Sequence, residues 1–398
     1  MQPVAARPDS DPGHRPRRAL PALCATQITS WGIVYYAFPV LNPQITRETG
    51  WPPGATTAAF SIALIASALT GIPVGRIIDR HGPRLFMTAG SVLAAAALLL
   101  IAAAPNLLCF TAGWLLAGTA MAAILYQPAF TALTRWWAPD HIRALTYVTL
   151  AGGLASTLFA PITALLSDQL SWRATYTVLA LLLAAITVPA HAVALNAPWP
   201  RTRPSTAKVS ATTAVQAERT RTFWILAGAL TLSALASYAV VIALVPLLIE
   251  RGYTTSQAAW ALGLGGAGQT LGRTLYARLA SRTGPARRAT ALMALGGAAT
   301  VALALTPGPY ALIVVLSMTA GMVRGNLTLL QATAVTDRWG AAADYGRLSG
   351  ILGAPVTTAS AISPFAGAVL AGPVGGYAPL FLALALVAFV ASMLAYAT

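Results

Sequence analysis

Long apolar runs are the feature of this sequence that most constrains its fold. The chain has 398 residues, of which 57% are hydrophobic and 9% are charged, whereas a soluble domain usually carries about 25% charged residues. A helix that crosses a bilayer needs roughly 20 mostly apolar residues. The segments that meet this requirement are 19–46, 54–75, 85–104, 107–134, 144–167, 174–196, 223–249, 254–277, 289–306, 310–336, 346–371 and 374–397. The pattern therefore predicts an all-α membrane protein with twelve transmembrane helices.

A polar, basic stretch at 197–222 divides these segments into two groups of six. We therefore predict an N-terminal six-helix half at 19–196, a cytoplasmic linker at 197–222 and a C-terminal six-helix half at 223–398. Residues 1–18 are polar and rich in proline and arginine, which is typical of disordered segments. They are predicted to form a disordered cytoplasmic N-terminus.

The basic residues predict the orientation of the chain. The net charge is +15, from 25 lysines and arginines against 10 acidic residues. Outside the spans, only Arg47, Arg173 and Arg251 fall on the side away from the termini and the linker. Cytoplasmic loops of membrane proteins carry this kind of positive excess. We expect a multi-pass protein of the plasma (inner) membrane with both termini in the cytoplasm, and no nucleic-acid partner.

The two halves repeat each other at an offset of 202 residues. Matching pairs include Tyr36 and Tyr238, Glu48 and Glu250, Gly50 and Gly252, Arg76 and Arg278, Arg80 and Arg282, Pro83 and Pro285, Pro105 and Pro307, and Trp137 and Trp339. Because the offset spans six helices, an even number, both copies cross the membrane in the same direction. Two parallel six-helix halves are an established transporter design.

A glycine-rich, charged segment follows the second span, where Gly75, Asp79, Arg80, Gly82 and Arg84 stand in the run GRIIDRHGPR. This segment resembles the corresponding loop of the major facilitator superfamily. The equivalent run in the second half keeps its basic and glycine positions but has Ser281 in place of the aspartate. The resemblance covers the chain after residue 18, and it implies the fold of that superfamily and secondary active transport by alternating access.

Two positions depart from common patterns of the superfamily. Trp114 stands near the place in span four where many members carry an arginine. Span five reads Phe159-Ala160-Pro161, where many drug–proton antiporters have a Gly-Pro signature. Both departures argue against a specific assignment to proton-driven multidrug antiport.

The resemblance also implies a conformational latch formed by Gly75, Asp79, Arg80, Gly82 and Arg84. In that role Asp79 holds the halves in the outward-facing state by binding near the start of span eleven, around 345–347. A helix N-terminus stabilises a nearby anion by roughly 0.3–1 kcal/mol, and by more when the site is partly buried. The alternative is a solvated Asp79 that pairs locally with Arg80 or Arg84.

An arginine near the middle of span ten is the main candidate for a substrate contact. A charged residue at the centre of a span costs about 2.5–3.5 kcal/mol on insertion scales, so such residues usually face a cavity and have a function. Arg324 shares one helix face with Ser317, Gly321, Thr328 and Gln331. We predict that it contacts an anionic or polar group; the alternative is a structural arginine bonded to backbone carbonyls. Arg273 is closer to the cytoplasmic end of span eight, where it is expected to snorkel to the surface; a binding residue is the less favoured alternative.

Aromatic and amide side chains complete the predicted site. The candidate substrate-binding residues are Arg324, Trp31, Tyr35, Tyr126, Gln127, Tyr238, Gln269 and Gln331. Aromatic walls with a few polar groups are typical of small-molecule pockets, although packing between helices explains any one of these residues equally well. No aspartate or glutamate lies near the centre of a span, so the usual intramembrane proton relay is not expected.

The predicted function is secondary active transport of a small organic solute, for which an anion is one candidate, with export slightly favoured. The alternative is a monocarboxylate-type importer or exchanger. A membrane enzyme would need a constellation of histidine, aspartate or serine within the spans, and none is present. Four scattered histidines and two separated cysteines predict no metal site. We expect no cofactor, and a monomer whose partners are its solute and the lipid bilayer.

Overall fold

A computed structural model describes residues 16–137, 141–199, 220–339 and 345–398, and within these ranges the chain is helical and has no strand. Each of the twelve predicted segments is occupied by helix. The helices are α1 (Ala19–Ser30, Trp31–Tyr36 and Ala37–Thr49), α2 (Pro53–His81), α3 (Pro83–Ala103), α4 (Leu107–Trp136), α5 (His141–Gln169), α6 (Trp172–Ala194), α7 (Arg221–Glu250), α8 (Thr255–Arg282), α9 (Pro285–Leu305), α10 (Tyr310–Thr333), α11 (Tyr345–Ala371) and α12 (Tyr377–Tyr396).

Ten of these helices are long and apolar enough, by length and composition, to cross a membrane. The other two are α1 and α8. Helix α1 is divided into shorter stretches by a π-helical turn at Trp31–Tyr36. Helix α8 carries Gln269, Arg273 and several glycines along its length. An irregular backbone in α1 and polar side chains in α8 therefore interrupt these two spans, as is common where a helix lines a cavity.

The segments 76–84 and 278–288, which the sequence suggests are loops, are mostly helix. Helix α2 continues to His81 and α3 begins at Pro83, so the chain reverses at Gly82, whose φ of 84° favours glycine. In the second half, α8 continues to Arg282 and α9 begins at Pro285. Hydropathy marks the membrane core, whereas the helix ends only where glycine and proline stop it. Gly75, Asp79 and Arg80 therefore lie on a helix.

Helix α4 breaks at Leu125, and the break follows from Pro128. Leu125 has an extended backbone between the stretches Leu107–Ile124 and Tyr126–Trp136. Proline lacks the N–H that would bond to the carbonyl four residues earlier, which here is that of Ile124. The side chain of Gln27 in α1 donates to this carbonyl instead, at 2.7 Å. The break therefore ties α1 to α4 beside Tyr126 and Gln127.

Helices α8 and α10 pack backbone against backbone through glycine. A Cβ atom at Gly268 or Gly272 would overlap a carbonyl of α10, and a Cβ atom at Gly321 or Gly325 would overlap a carbonyl of α8. The first half has the same kind of contact between Gly118 of α4 and the Ala63 carbonyl of α2. Small residues allow this close approach of membrane helices, and it brings the side chains of α8 and α10 together.

The two halves meet on the side of the membrane away from the termini, which we call the distal side. The Phe365 N–H of α11 donates to the Ser61 hydroxyl of α2 at 3.2 Å. Nearby, a Cβ atom at Gly54 would lie 3.2 Å from the Val369 side chain. Closer to the middle, the Thr157 hydroxyl of α5 donates to the Gly263 carbonyl of α8 at 2.8 Å. The distal ends of α2 and α11 are therefore in direct contact.

Candidate functional site

A cavity with two lobes lies between the halves, near the middle of the helices. The polar lobe has a volume of about 580 Å³ and the apolar lobe about 790 Å³. Both lobes are lined by Trp31, Tyr35, Tyr126 and Tyr238. These four aromatic residues form a shared wall, so the lobes are parts of one cavity.

Two arginines and a glutamine from α8 and α10 line the polar lobe. The Arg324 Nη2 donates to the Gln269 side-chain oxygen at 2.6 Å. The Arg273 Nη1 donates to the carbonyl of Thr149 in α5, and its Nε has no hydrogen-bond partner among the described residues. Arg273 is only 9% exposed. Each guanidinium therefore retains N–H groups that face the cavity.

No carboxylate side chain is among the described residues that line either lobe. Among the described residues, Arg273 bonds to a backbone carbonyl and Arg324 to an amide oxygen, both of which are neutral. The two ion pairs found among the described residues, Asp79–Arg135 and Arg288–Asp337, lie outside the cavity. Buried charges in a membrane protein are normally paired because desolvation is costly. The cavity therefore holds two positive charges and no counter-charge from the described chain.

The shared wall begins at the π-helical turn of α1, which carries Trp31 and Tyr35. The Trp31 ring lies 5.5 Å from that of Tyr35 and 5.1 Å from that of Tyr126, between ring centroids. The indole Nε1 of Trp31 and the hydroxyl of Tyr35 are buried and find no hydrogen-bond partner among the described residues. Such orphan donors are rare in folded proteins. Neighbouring protein atoms cover both groups in this conformation.

The structure brings together seven of the eight predicted binding residues. They are Trp31, Tyr35, Tyr126, Gln127, Tyr238, Gln269 and Arg324. Gln331 lines neither lobe, because it lies two helical turns beyond Arg324 toward the terminal side, which carries the chain ends. Seven of the predicted residues therefore line the cavity, and a substrate contact stays a prediction for each of them.

The expectation that Arg273 snorkels to the cytoplasmic surface is wrong. Arg273 is buried and lines the polar lobe. The reason is the true length of α8, which ends at Arg282 and so places Arg273 well inside the helix. Its spacing of four residues from Gln269, which puts both on one helix face, is the signal that would have found it.

Helix α4 carries no charge into the cavity. Trp114, which replaces the arginine of many relatives, is fully buried and lines neither lobe. Its ring packs edge-on against Phe60 at 5.0 Å and Phe38 at 5.3 Å between centroids. The positive charges of this cavity come from the second half only.

A family model, that of the Major Facilitator Superfamily, matches residues 23–342 of this chain. The chain belongs to the Major Facilitator Superfamily. This agrees with the resemblance of the segment around Asp79, and it indicates a membrane transporter and not an enzyme.

One relative of this superfamily member is the uncharacterized MFS-type transporter YcxA of Bacillus subtilis (strain 168). The two are 27% identical over 155 residues, which cover 39% of this chain and 38% of YcxA. The match thus spans well under half of that relative.

Two solved transporters share the fold. A bacterial homolog of the human lysosomal transporter Spinster, in an inward-facing and unoccupied conformation, aligns with a TM-score of 0.76 and 13% identity, over 98% of this chain and 97% of its own. A mutant of the nucleoside transporter NupG aligns with a TM-score of 0.72 and 14% identity, over 96% of this chain and 99% of its own.

The residues predicted to form the superfamily's latch are found at the terminal side. The Asp79 carboxylate accepts a hydrogen bond from Arg135 Nη2 of α4 at 2.7 Å, and the Asp79 carbonyl accepts one from Arg135 Nη1 at 2.9 Å. Arg84 bonds to the Ala192 carbonyl and the Asn196 side chain. Asp79 is therefore paired, but with neither Arg80 nor Arg84. The predicted partner side chains at 345–347 lie outside the described residues.

The start of the linker packs against this ion pair. The Trp199 indole N–H donates to the Asp79 carbonyl at 3.0 Å, and the Arg135 guanidinium lies 4.8 Å from the Trp199 ring centroid. Trp199 also covers Gly82, where a Cβ atom would lie 3.3 Å from the indole. Gly82 is therefore required by the turn, and a side chain there would also press on the indole, whereas a Cβ atom at Gly75 would meet nothing within 4 Å.

Proposed function

We propose that this chain is a secondary active transporter that moves an organic anion across the plasma membrane by alternating access. The observation that carries the proposal is the pair of arginines in the central cavity, Arg273 and Arg324, which have only neutral partners among the described residues. A bound anion would supply the missing negative charge. Arginine suits this role because its planar fork of donors matches a carboxylate.

The contacts between the halves support alternating access with the cavity open to the terminal side in this conformation. Ser61 and Phe365 join α2 and α11 on the distal side, while Asp79 is bonded within the first half. Closing the terminal side would require the ends of α2 and α11 to approach each other there. Asp79 would then exchange Arg135 for the N-terminus of α11.

The basic residues support the orientation. Those flanking the helices cluster on the terminal side, which we infer to be cytoplasmic. We place the 197–222 linker on this cytoplasmic side and propose that the membrane is the plasma membrane. A cysteine placed at position 210 should be protected from an impermeant thiol reagent in intact cells, and its labelling from outside would contradict this orientation.

Exchange of one anion for another is a second candidate function, and the same arginines favour it. An empty transporter would have to close around two unpaired positive charges. In a loaded transporter, the negative charge of the bound anion compensates these positive charges. Because unpaired buried charge is costly, the loaded form should reorient more readily. No carboxylate among the described lining residues offers a proton-binding alternative. The monocarboxylate-type exchanger predicted from the sequence is consistent with this reasoning, and export alone has no separate structural support.

The test of the function uses purified protein in proteoliposomes. A labelled carboxylate such as phenylacetate should be taken up, and faster when the vesicles are preloaded with the same unlabelled anion. Phenylacetamide, which has the same shape without the charge, should compete poorly. Equal competition by the amide and the acid would remove the anion from the proposal.

The latch makes a separate prediction. Asp79→Asn should slow transport by roughly five- to thirty-fold, because an anion at a partly buried helix N-terminus contributes about 1–2 kcal/mol to the state closed on the terminal side. Arg135→Gln, which breaks the ion pair of this conformation but leaves the carboxylate, should slow transport less. Equal effects of the two substitutions on the transport rate would show that Asp79 acts only through Arg135.

A further inference from the structure

The apolar lobe has a chemistry distinct from the polar lobe. Its walls include the side chains of Leu64, Ala68, Met121 and Leu125, together with the Ser67 hydroxyl and the Gln127 amide. No charged side chain is among its described lining residues. A small anion bound only by the arginines would leave the apolar lobe filled with water.

The two lobes differ in the helices that supply their characteristic side chains. The arginines belong to α8 and α10 of the second half, whereas the apolar side chains belong mainly to α2 and α4 of the first half. The aromatic wall of Trp31, Tyr35, Tyr126 and Tyr238 borders both lobes. One molecule can therefore place a charged end against the second half and an apolar body against the first.

We propose that the transported anion is a monocarboxylate with an aromatic or similarly bulky apolar body, which occupies the apolar lobe. This inference rests on the proposed function, since it assigns the charged end to Arg273 and Arg324. The Trp31 and Tyr35 rings border both lobes, so they would pack against the bound molecule where its body joins its carboxylate. A dicarboxylate of similar length would have to place its second charge in the apolar lobe, where no described residue neutralises it.

The expected specificity follows from burial of the body. One methylene in an apolar pocket changes affinity by roughly 10- to 200-fold. The affinity should therefore rise by at least tenfold, by that principle, from acetate to phenylacetate. Succinate, with two charges, should bind no better than acetate.

A variant that fills the apolar lobe with a side chain tests whether the body of the substrate binds there. Ala68→Phe places a ring in the lobe and should lower the affinity for phenylacetate at least tenfold more than that for acetate. Leu69→Phe is the matched control, because Leu69 is the next residue on α2, is 65% exposed and lines neither lobe. The control should leave both affinities unchanged.

Enlarging the lobe gives an independent measurement if Ala68→Phe does not fold. Leu64→Ala should improve the affinity for 2-naphthylacetate relative to phenylacetate. Competition against labelled phenylacetate in proteoliposomes measures all these affinities. Equal affinities for acetate and phenylacetate, or parallel losses of both in Ala68→Phe, would overturn the inference while leaving an anion transporter. Binding of phenylacetamide as tight as that of phenylacetate would instead overturn the proposed function and leave the apolar subsite.

Discussion

Replacing Arg324 by alanine is expected to weaken binding of the anionic substrate by roughly 30- to several-thousand-fold. Truncating one partner of a buried, hydrogen-bonded charge pair costs about 2–5 kcal/mol, part of which is the penalty for leaving the other charge unpaired. Arg273→Ala is expected to lose binding to a similar extent, because Arg273 lines the same lobe and is 9% exposed. Affinity measured by competition against labelled phenylacetate checks both values.

Lysine at position 324 should retain partial binding. It keeps the positive charge but loses the planar fork that allows two parallel bonds to a carboxylate. The 2.6 Å hydrogen bond from the Arg324 guanidinium to the Gln269 side-chain oxygen should also be lost. An affinity between those of the wild type and Arg324→Ala is therefore expected.

The control for these substitutions is Arg278→Ala. Arg278 lies on the same helix as Arg273, is exposed and lines neither lobe, so its removal should leave affinity unchanged. Melting temperature measured on the same purified variants separates the two roles of Arg324. If Arg324→Ala melts lower but binds the anion as the wild type does, the arginine is structural and the proposed anion site loses half of its charge.

Replacing Gly321 by alanine is expected to destabilise the protein more than any other addition of a single methyl group to α10. Its Cβ atom would overlap the Gly265 carbonyl of α8, and neither backbone can move without separating the two helices. Overpacking of this kind typically costs about 1–3 kcal/mol. Gly268→Ala should have a similar effect from the other helix, because its Cβ atom would overlap the Met318 carbonyl. Melting temperature and yield of purified protein are the measurements.

Gly353→Ala is the matched control for this packing. Gly353 lies within α11, and a Cβ atom there would meet nothing within 4 Å. Alanine is favoured over glycine in a helix by about 0.8–1 kcal/mol, so this variant should melt at the wild-type temperature or higher. A wild-type melting temperature for Gly321→Ala would mean that α8 and α10 are not packed through their glycines.

Separating the helices would also change the site. Arg324 and Gln269 stand on the two helices that the glycines bring together, and their side chains bond to each other. The glycine contact is therefore one cause of the polar lobe's geometry. A Gly321→Ala protein that survives purification should bind the anion more weakly, for the same reason that it melts earlier.

The sequence by itself determined the twelve helices and their two groups of six. Membrane insertion depends on the apolar length of each segment, which is local and can be read without neighbours. The sequence also identified Arg324 as a cavity residue, since a charge at the centre of a span has to face a cavity or a partner. Aromatic residues such as Trp31 and Tyr126 were candidates because aromatic walls are typical of small-molecule pockets, and they line the cavity.

Only the tertiary structure decided which of these side chains meet. Sequence spacing places a residue along a helix at 1.5 Å per residue, but its neighbours depend on how the helices pack and where they end. Because α8 continues to Arg282, Arg273 lies in the polar lobe and not at the surface, where it was expected from the sequence. The same extension of α2 placed Asp79 against Arg135. These pairings join residues far apart in the chain, and their energies come from contacts that no local pattern contains.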